Sequence, residues 1–408
     1  MELDNIKLLA LGLIFSPRHF GGEILSSLDE NDWSRIGILL RQHRVEPMLY
    51  WRISAENRAN SLPADFFQRL EASYKSSTLR SLNLQRELLR VHHILERAAI
   101  PHMMLKGAFL AFHAYPHPGM RPMRDLDVLV PRDRALIAYQ ALLKAGFQSD
   151  KKYKGEVSAA LDVMHHLPGL NSADGQVHIE LHTRLFHERP WKISSQDLGE
   201  KEEFWRRSVC FPIAGTSMPF SSATDLLLHM AVHGVYDHKF NNGPLLLSDI
   251  AYLLGSQSVD WALFWRMARE MGYERGCILA LKLTESYYGD LDVVWPSSPD
   301  CRWENIPVHE AALAMFQNTK FRKALLLSSN MESTPSWYAR IRYFTRKVFP
   351  SRRALSAAYA VSPSSIRICL MYPVKWWDML KTRVPSLIDR SLYSEAAKLQ
   401  IIDRWLQR

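Results

Sequence analysis

The chain has 408 residues, enough for two or three domains with packed cores at about 100–200 residues per domain. Hydrophobic residues make up 47% and charged residues 23%, proportions typical of folded proteins, which exclude a largely disordered chain. Lysine and arginine outnumber aspartate and glutamate by 51 to 42, so the formal charge of +9 permits a polyanionic partner without requiring one.

Residues 1–98 are predicted to form an N-terminal helical domain. Apolar residues recur at helical spacing over residues 27–54 and again over residues 62–98, and charged residues fill the other faces. Pro63 stands near the start of the second run, where a first-turn proline is favourable. This pattern is typical of a helical bundle.

The pattern changes at Ile100, where residues 99–220 predict an α/β core built on a small mixed sheet. Apolar runs and period-two alternation indicate strands, and amphipathic spacing followed by glycine indicates helices. The predicted elements are a strand over residues 100–106, a helix over 108–115, a strand over 125–131, a helix over 132–147 and a strand over 176–185.

Residues 221–330 are predicted to form a second helical domain, with three amphipathic helices in its first half. Ser222 and Thr224 are candidate caps for the first of these helices, and Asp260 is a candidate N-cap for the third. Residues 330–336 predict a hinge, after which residues 331–408 are assigned to a basic helical tail.

The tail begins with basic residues that have no acidic residue between them and are interleaved with Tyr343, Phe344 and Phe349. Three interpretations stay open: a solvated helix packed on the body, a surface for an anionic membrane, or an RNA-binding segment. The basic residues are Arg340, Arg342, Arg346, Lys347, Arg352 and Arg353.

The sequence matches none of the usual targeting signals or membrane-spanning segments. Its start lacks the basic residues and cleavage site of a signal peptide. No stretch reaches the roughly 18 uninterrupted apolar residues of a membrane-spanning helix. The four cysteines, which lie far apart without a CxxC pair, exclude a zinc ribbon and suit a reducing compartment. We therefore expect a cytoplasmic protein.

Three acidic residues stand out in the predicted core. Asp125 and Asp127 are two residues apart on a predicted strand, so both carboxylates lie on one face while Leu126 and Val128 point into the core. Glu180 occupies the corresponding face of a later strand. Carboxylates that lie side by side are favourable when a divalent cation separates them, and oxygen ligands suit Mg²⁺ or Mn²⁺.

Residues near these carboxylates predict phosphate binding. Lys106 and Gly107 end one predicted strand and begin a helix, where backbone N–H groups favour phosphate. Arg121 and Arg124 precede the aspartates, and their forked donors suit a triphosphate. His182 shares a strand face with Glu180, and it is assigned to nucleotide binding together with the lysine, the glycine and the two arginines.

The strings LKG, GMRPMRDLDVLV and HIELH, taken together, resemble an uncharacterised bacterial nucleotidyltransferase family of the DNA polymerase β-like superfamily. The resemblance covers about residues 30 to 330. It implies an α+β fold, with a nucleotidyltransferase core flanked by helical domains, and two Mg²⁺ or Mn²⁺ ions held by Asp125, Asp127 and Glu180. It also implies an NTP substrate with its phosphates near Gly107, although Lys106-Gly107 stands where the superfamily usually has Gly-Ser.

Several other polar residues have open interpretations. His229 and His233, four residues apart, suit a zinc site, a cleft wall or core packing. Asp249, flanked by apolar residues, needs a partner and is expected to cap a helix, pair with Lys239 or face the nucleotide. The adjacent histidines at positions 165 and 166 are interpreted as surface or loop residues.

The sequence thus predicts a Mg²⁺-dependent enzyme that moves a nucleoside monophosphate from an NTP to a hydroxyl or similar acceptor, with release of pyrophosphate. The acceptor is expected on a small molecule or on a polysaccharide or peptide precursor. Two alternatives stay open: an NTP-sensing module with the same fold and no turnover, and nucleotidyl transfer to RNA or to a protein.

Overall fold

The computed structural model describes residues 1–15, 22–150, 155–186, 198–296, 304–317, 337–359, 361–388 and 391–407. Its N-terminal part is helical, as predicted. The expected helix over residues 27–54 is interrupted at Arg44, whose φ of 58° ends one helix before the next begins. The helices are α1 (Leu3–Phe15), α2 (Gly22–Ser26), α3 (Glu30–His43), α4 (Glu46–Ala55) and α5 (Ala64–Arg97).

The centre of the molecule is a seven-stranded mixed sheet with the order β3-β4-β5-β2-β1-β7-β6. β2 pairs with β5 in parallel and with β1 in antiparallel orientation, and β1 pairs with β7 in parallel. The strands are β1 (Met103–Met104), β2 (Asp125–Leu129), β3 (Gln148–Ser149), β4 (Leu170–Asn171), β5 (His178–His182), β6 (Val209–Ile213) and β7 (Thr216–Phe220).

Short helices cover this sheet. The predicted helix after Gly107 forms α6 (Gly107–Phe109) and continues as a π-helical turn over Leu110–Ala114. The predicted helix over residues 132–147 is α7 (Ala135–Lys144), and Gly146 follows it with a φ of 95°. The other two helices of this region are α8 (Val157–Val163) and α9 (Glu202–Arg206).

Four strands were not predicted. β3 and β4 have two residues each, too few to show a period in the sequence. β6 and β7 contain Pro212 and Pro219, which argue against strands, but β6 lies at the sheet edge, where proline is tolerated. Ala214 and Gly215 both have positive φ and form the two-residue turn between these strands.

The C-terminal half returns to helix. Ser222 and Asp260 cap their helices as predicted, since their side chains accept the N–H groups of Asp225 and Leu263 at 3.2 and 2.9 Å. The helices are α10 (Ala223–Val232), which continues as a π-helical turn over His233–Asp237, α11 (Leu245–Ser256), α12 (Trp261–Glu270), α13 (Glu274–Tyr288), α14 (Val308–Ala314), α15 (Trp337–Val348), α16 (Arg352–Ala358), α17 (Met371–Ile388) and α18 (Ser391–Gln407).

Most of the buried apolar side chains form one continuous cluster that includes both faces of the sheet and reaches from Ile6 in α1 to Trp405 in α18. The fold is therefore α+β, a mixed sheet flanked by helical regions, as predicted. The predicted hinge at residues 330–336 lies outside the described residues. Within the described ranges, no helix combines the length and the hydropathy needed to cross a bilayer.

Candidate active site

The three acidic residues meet because β2 and β5 are parallel neighbours. Asp127 lies opposite Glu180 in the strand register, and Asp125 lies opposite His178. Leu126 and Val128, which alternate with the aspartates, are buried in the core as the period of two requires. All three carboxylates line one cavity of about 560 Å³.

His182, at the end of β5, connects these carboxylates. Its Nε2 lies 3.1 Å from Oδ1 of Asp127 and 3.5 Å from Oε2 of Glu180. His166 and His178 each approach Glu180, with their Nε2 atoms 3.8 Å from its carboxylate oxygens. A buried imidazole therefore holds two acidic side chains in a common orientation.

The electrostatics of the group follow from burial and from this histidine. Burial, together with the negative charges of Asp127 and Glu180, raises the pKa of Asp125 to about 7. Burial opposes ionisation of Asp127 as well, but the charge and hydrogen bond of His182 outweigh it and lower the pKa of Asp127 below its usual value. Burial disfavours the charged form of His182, yet Asp127 raises the pKa of this imidazole to about 9.

These residues fit a divalent cation. Ligand atoms of Asp127, Glu180 and His182 all lie within 4.8 Å of one another, and Asp125 shares their strand face. The raised pKa of Asp125 reflects the cost of adding another negative charge, a cost that a bound cation relieves. Nδ1 of His182 is buried without a hydrogen-bond partner among the described residues. Carboxylate oxygens are ligands that suit Mg²⁺ or Mn²⁺, and the hydrogen bond of His182 holds Asp127 in place beside them.

Lys106 and Gly107 lie in the cavity wall beside the carboxylates. Lys106 has a φ of 30°, a rare conformation for a residue with a side chain. Burial lowers the pKa of its ammonium group, although Asp127, Asp237, Asp125 and Glu180 oppose this shift. Gly107 begins α6, and a Cβ atom there would lie 3.0 Å from Nη1 of Arg121. Lys106, and not Gly107, therefore has the positive φ, while the missing side chain of Gly107 leaves space for the Arg121 guanidinium.

Arg121 forms an ion pair with Asp249, whose role the sequence left open. Its Nε and Nη2 donate to Oδ1 and Oδ2 of Asp249 at 2.7 and 2.8 Å, and the hydroxyl of Tyr115 donates to Oδ1 at 2.8 Å. Asp249 is therefore paired with Arg121 and not with Lys239, whose ammonium group pairs with Asp403. The pair joins the loop before β2 to α11 and leaves Nη1 of Arg121 beside Gly107.

Arg124 and Arg44 supply further cations to the cavity wall. No hydrogen bond or ion pair joins either guanidinium to another described residue. Arg80 in α5 fixes the loop that carries Arg124, because it donates to the carbonyl oxygens of Met123 and Arg124 at 2.9 and 3.0 Å. The two arginines thus remain able to bind an anionic ligand.

The sequence did not predict every cavity residue. His165 and His166 lie in a loop, as expected, but this loop lines the cavity next to Glu180. The opposite wall comes from the α3 end and from the segment after α10, and its polar residues include His43, His238, Asn241 and Asn242. Of these residues, only the adjacent histidines 165 and 166 stood out in the sequence. The residues of the other wall come together through contacts between segments that are distant in the chain.

His229 and His233 have different environments. His233 lines the cavity, whereas His229 is buried with its ring edge against Phe186. Burial lowers the pKa of His229 well below its usual value, and the positive charges of Lys106 and His182 act in the same direction. His229 thus packs behind the candidate site, and His233 faces into it.

A second group of potential metal ligands lies at the end of α5, where His92, Glu96 and His102 converge. Nδ1 of His92 and Nε2 of His102 are 2.8 Å apart, and Nδ1 of His102 is 2.9 Å from the carbonyl oxygen of Ile100. These hydrogen bonds account for the two imidazoles as a structural pair between α5 and β1.

Comparison with known protein families gave a match. A family model described as an uncharacterised nucleotidyltransferase matches residues 29–289, a range that includes α3 to α13 and every candidate residue of the site. A search of curated proteins gave no significant match.

Proposed function

The chain belongs to a family of uncharacterised nucleotidyltransferases, and from that premise we propose that it transfers a nucleoside monophosphate from an NTP to a hydroxyl or similar acceptor. The reaction is proposed to need Mg²⁺ or Mn²⁺. We further propose that the acceptor is a small molecule or a precursor of a polysaccharide or peptide, since the cavity of about 560 Å³ has the size of a small-molecule site.

One observation carries this proposal: Asp127 and Glu180 are register partners on adjacent parallel strands, with Asp125 on the same face, at a cavity lined by Lys106 and Arg124. Acidic ligands on one side and cationic side chains on the other are what a metal-bound triphosphate requires. An acidic strand edge without function would not need the cations or the enclosed volume.

Asp125, Asp127 and Glu180 would hold the divalent cations, with His182 beside them. When bound, such ions neutralise charge on the phosphates and lower the pKa of an acceptor hydroxyl. The protein contributes orientation: β2 and β5 fix the carboxylates, and the hydrogen bond from His182 fixes the rotamer of Asp127. Most of the proposed rate enhancement is therefore positional and electrostatic.

The proposed reaction is a displacement at the α-phosphorus. The acceptor oxygen forms a bond to this atom, the bond to the bridging α–β oxygen breaks, and pyrophosphate leaves with the electron pair. Glu180 lies in the cavity as a carboxylate that can accept the acceptor's proton, because His182 and His166 lower its pKa against the effect of burial. Lys106, Arg124 and Nη1 of Arg121 are assigned to the β- and γ-phosphates.

The test is the double variant Asp125→Asn, Asp127→Asn. Mn²⁺ binding, measured by electron paramagnetic resonance, and pyrophosphate release from each of four NTPs with candidate acceptors should both fall to background. Asp133→Asn with Asp174→Asn is the matched control, because both residues are exposed carboxylates outside the cavity. Turnover that survives in the double variant would refute the site.

The same measurements separate the alternatives. Tight NTP and Mn²⁺ binding without pyrophosphate release, across small-molecule, RNA and protein acceptors, would favour a sensor. Release that requires RNA or a protein would identify that acceptor class.

A further inference from the structure

The C-terminal segment over residues 337–381 exposes an unusual amount of apolar surface. Eleven of the 22 exposed large apolar side chains in the described ranges lie here. Trp337 is 73% exposed, Ile366 82% and Trp377 59%. Single exposed apolar residues are ordinary, but a cluster of this size marks an interaction surface.

The exposed side chains share helix faces. In α15, Trp337, Ile341 and Phe344 are spaced by four and three residues and so lie on one face. In α17, Val374 and Trp377 are three residues apart and Lys381 follows four residues later, with its ammonium group 5.3 Å from the centre of the Trp377 ring. Each helix therefore has an apolar stripe, and that of α17 ends at a cation.

Aromatic contacts join these two helices into one surface. The ring of Phe349, which follows α15, lies 5.5 Å from the ring of Trp376 in α17. Nε1 of Trp376 donates to the carbonyl oxygen of Val348 at 2.9 Å. The hydroxyl of Tyr372 donates to the carbonyl oxygen of Pro350, also at 2.9 Å. The polar atoms of these rings are thus satisfied within the protein, while apolar edges stay exposed.

The surface is attached to the body at two points, one between α15 and α17 and one after α17. α16 lies along α8: Gly155, before the helix, leaves room for the carbonyl of Ala357, and Arg353 pairs with Asp162 near the helix end at 2.8 Å. After α17, α18 lies against α1, where Lys398 pairs with Asp4 at 2.7 Å. The segment that carries the exposed apolar side chains is therefore fixed to the rest of the protein.

The charge of the segment identifies the partner. Residues 337–381 contain nine lysine and arginine residues and one acidic residue, Asp378. Among them, Arg342, Arg346 and Arg367 are exposed next to the apolar stripes. Cations at the border of an aromatic and aliphatic surface match the headgroup region of an anionic bilayer, where tryptophan and lysine are favoured.

Two other occupants fit less well. A second copy of the chain would bring the same nine basic residues together, at a cost in like-charge repulsion. Single-stranded RNA would use arginines and aromatic rings, but it gives no partner to exposed aliphatic side chains such as Ile366, Leu370 and Leu380.

We propose that residues 337–381 dock on the surface of an anionic lipid bilayer, with the apolar stripes of α15 and α17 in the interface and the basic residues at the headgroups. The full-length protein should cosediment with vesicles of phosphatidylcholine and phosphatidylglycerol, and not with phosphatidylcholine alone. High salt should weaken this binding because it screens the headgroup attraction.

Two double variants of the surface, each with a matched control, test the proposal. Trp377→Ala with Leu380→Ala should lower the partition coefficient at least tenfold, whereas Leu79→Ala with Leu82→Ala, equally exposed on α5, should leave it unchanged. Arg342→Gln with Arg346→Gln should lower it roughly 30-fold. Arg97→Gln with Lys144→Gln, the same change of charge elsewhere, is its control. Circular dichroism checks that each variant is folded.

Several outcomes would overturn the proposal. They are failure to bind anionic vesicles, equal binding to neutral vesicles, or equal losses in the control variants. RNA binding that the Trp377 and Leu380 substitutions abolish, without vesicle binding, would assign the surface to nucleic acid. A dimer in sedimentation velocity that these substitutions dissociate would assign it to self-association.

Discussion

At the scale of single residues, the candidate site depends on a strained backbone at Lys106. Its φ of 30° costs on the order of 1–3 kcal/mol. Neighbouring hydrogen bonds hold the conformation: the N–H of Leu105 donates to the carbonyl of Asp127 at 2.9 Å, and the N–H of Leu110 donates to that of Lys106 at 3.1 Å. The chain thus turns from β1 into α6 with the lysine at the carboxylates.

Gly107 gives a prediction at this scale. In Gly107→Ala the new Cβ would lie 3.0 Å from Nη1 of Arg121, whose other nitrogens are fixed on Asp249, so the guanidinium must shift. We expect NTP binding to weaken about tenfold and the free energy of unfolding to fall by about 1 kcal/mol. Calorimetry with NTP and Mg²⁺, and urea denaturation, measure the two effects.

Gly255→Ala is the matched control, because no atom lies within 4 Å of the Cβ position at this glycine of α11. This variant should be neutral or slightly stabilising. If Gly107→Ala behaves like Gly255→Ala in both measurements, Arg121 does not constrain the phosphate side of the cavity.

The sequence predicted these residues unequally. Asp125, Asp127 and Glu180 could be identified because a strand period of two assigns side chains to faces without further information. The partner of Arg121 could not, since Asp249 lies 128 positions away and only tertiary packing brings them together. The same holds for His43, which reaches the cavity from α3.

At the scale of elements, α5 supports the loop before β2. Arg80 is the connection, through its two hydrogen bonds to the carbonyls of Met123 and Arg124. The loop has no regular secondary structure over residues 121–124, so its conformation depends on such external contacts. The long helix thus has a role in the site, although it contributes no residue to the cavity wall.

The variant Arg80→Met keeps the aliphatic part of the side chain and removes both hydrogen bonds. We expect amide hydrogen exchange over residues 121–127 to become roughly tenfold faster, since each hydrogen bond contributes about 1 kcal/mol. Arg69→Met, on the same helix, removes an exposed pair with Asp65 at 3.5 Å and a contact with the Phe66 ring at 5.5 Å. Neither contact involves the loop, so the exchange should stay unchanged. Equal exchange in both variants would mean that the loop is stable without α5.

Element prediction succeeded where a period was long enough to see. α5 and α12 have apolar stripes over at least ten residues, and their bounds agree with the sequence to within a few positions. β3 and β4 are too short for a pattern. β6 has a proline that is tolerated because the strand lies at the sheet edge, a position that local sequence does not reveal.

At the scale of the whole molecule, the four-part division at residues 98, 220 and 330 stays a proposal. The continuous core connects these parts, and α18 at the end of the chain packs against α14 and forms ion pairs with α1. Lys239, two residues after the π-helical turn that follows α10, forms a buried ion pair with Asp403 of α18. The last helix is thus fixed behind the segment that supplies one wall of the cavity.

This ion pair gives a prediction for the whole fold. Asp403→Ala leaves a buried, uncompensated ammonium group, because both side chains are at most 3% exposed, and should lower the free energy of unfolding by about 3–5 kcal/mol. Adding Lys239→Met removes that charge and should restore most of the loss. Urea denaturation measures both variants, with Glu202→Ala, which breaks an exposed pair with Arg206, expected to cost less than about 1 kcal/mol. A cost of Asp403→Ala as small as that of Glu202→Ala would mean that α18 is not part of the cooperative core.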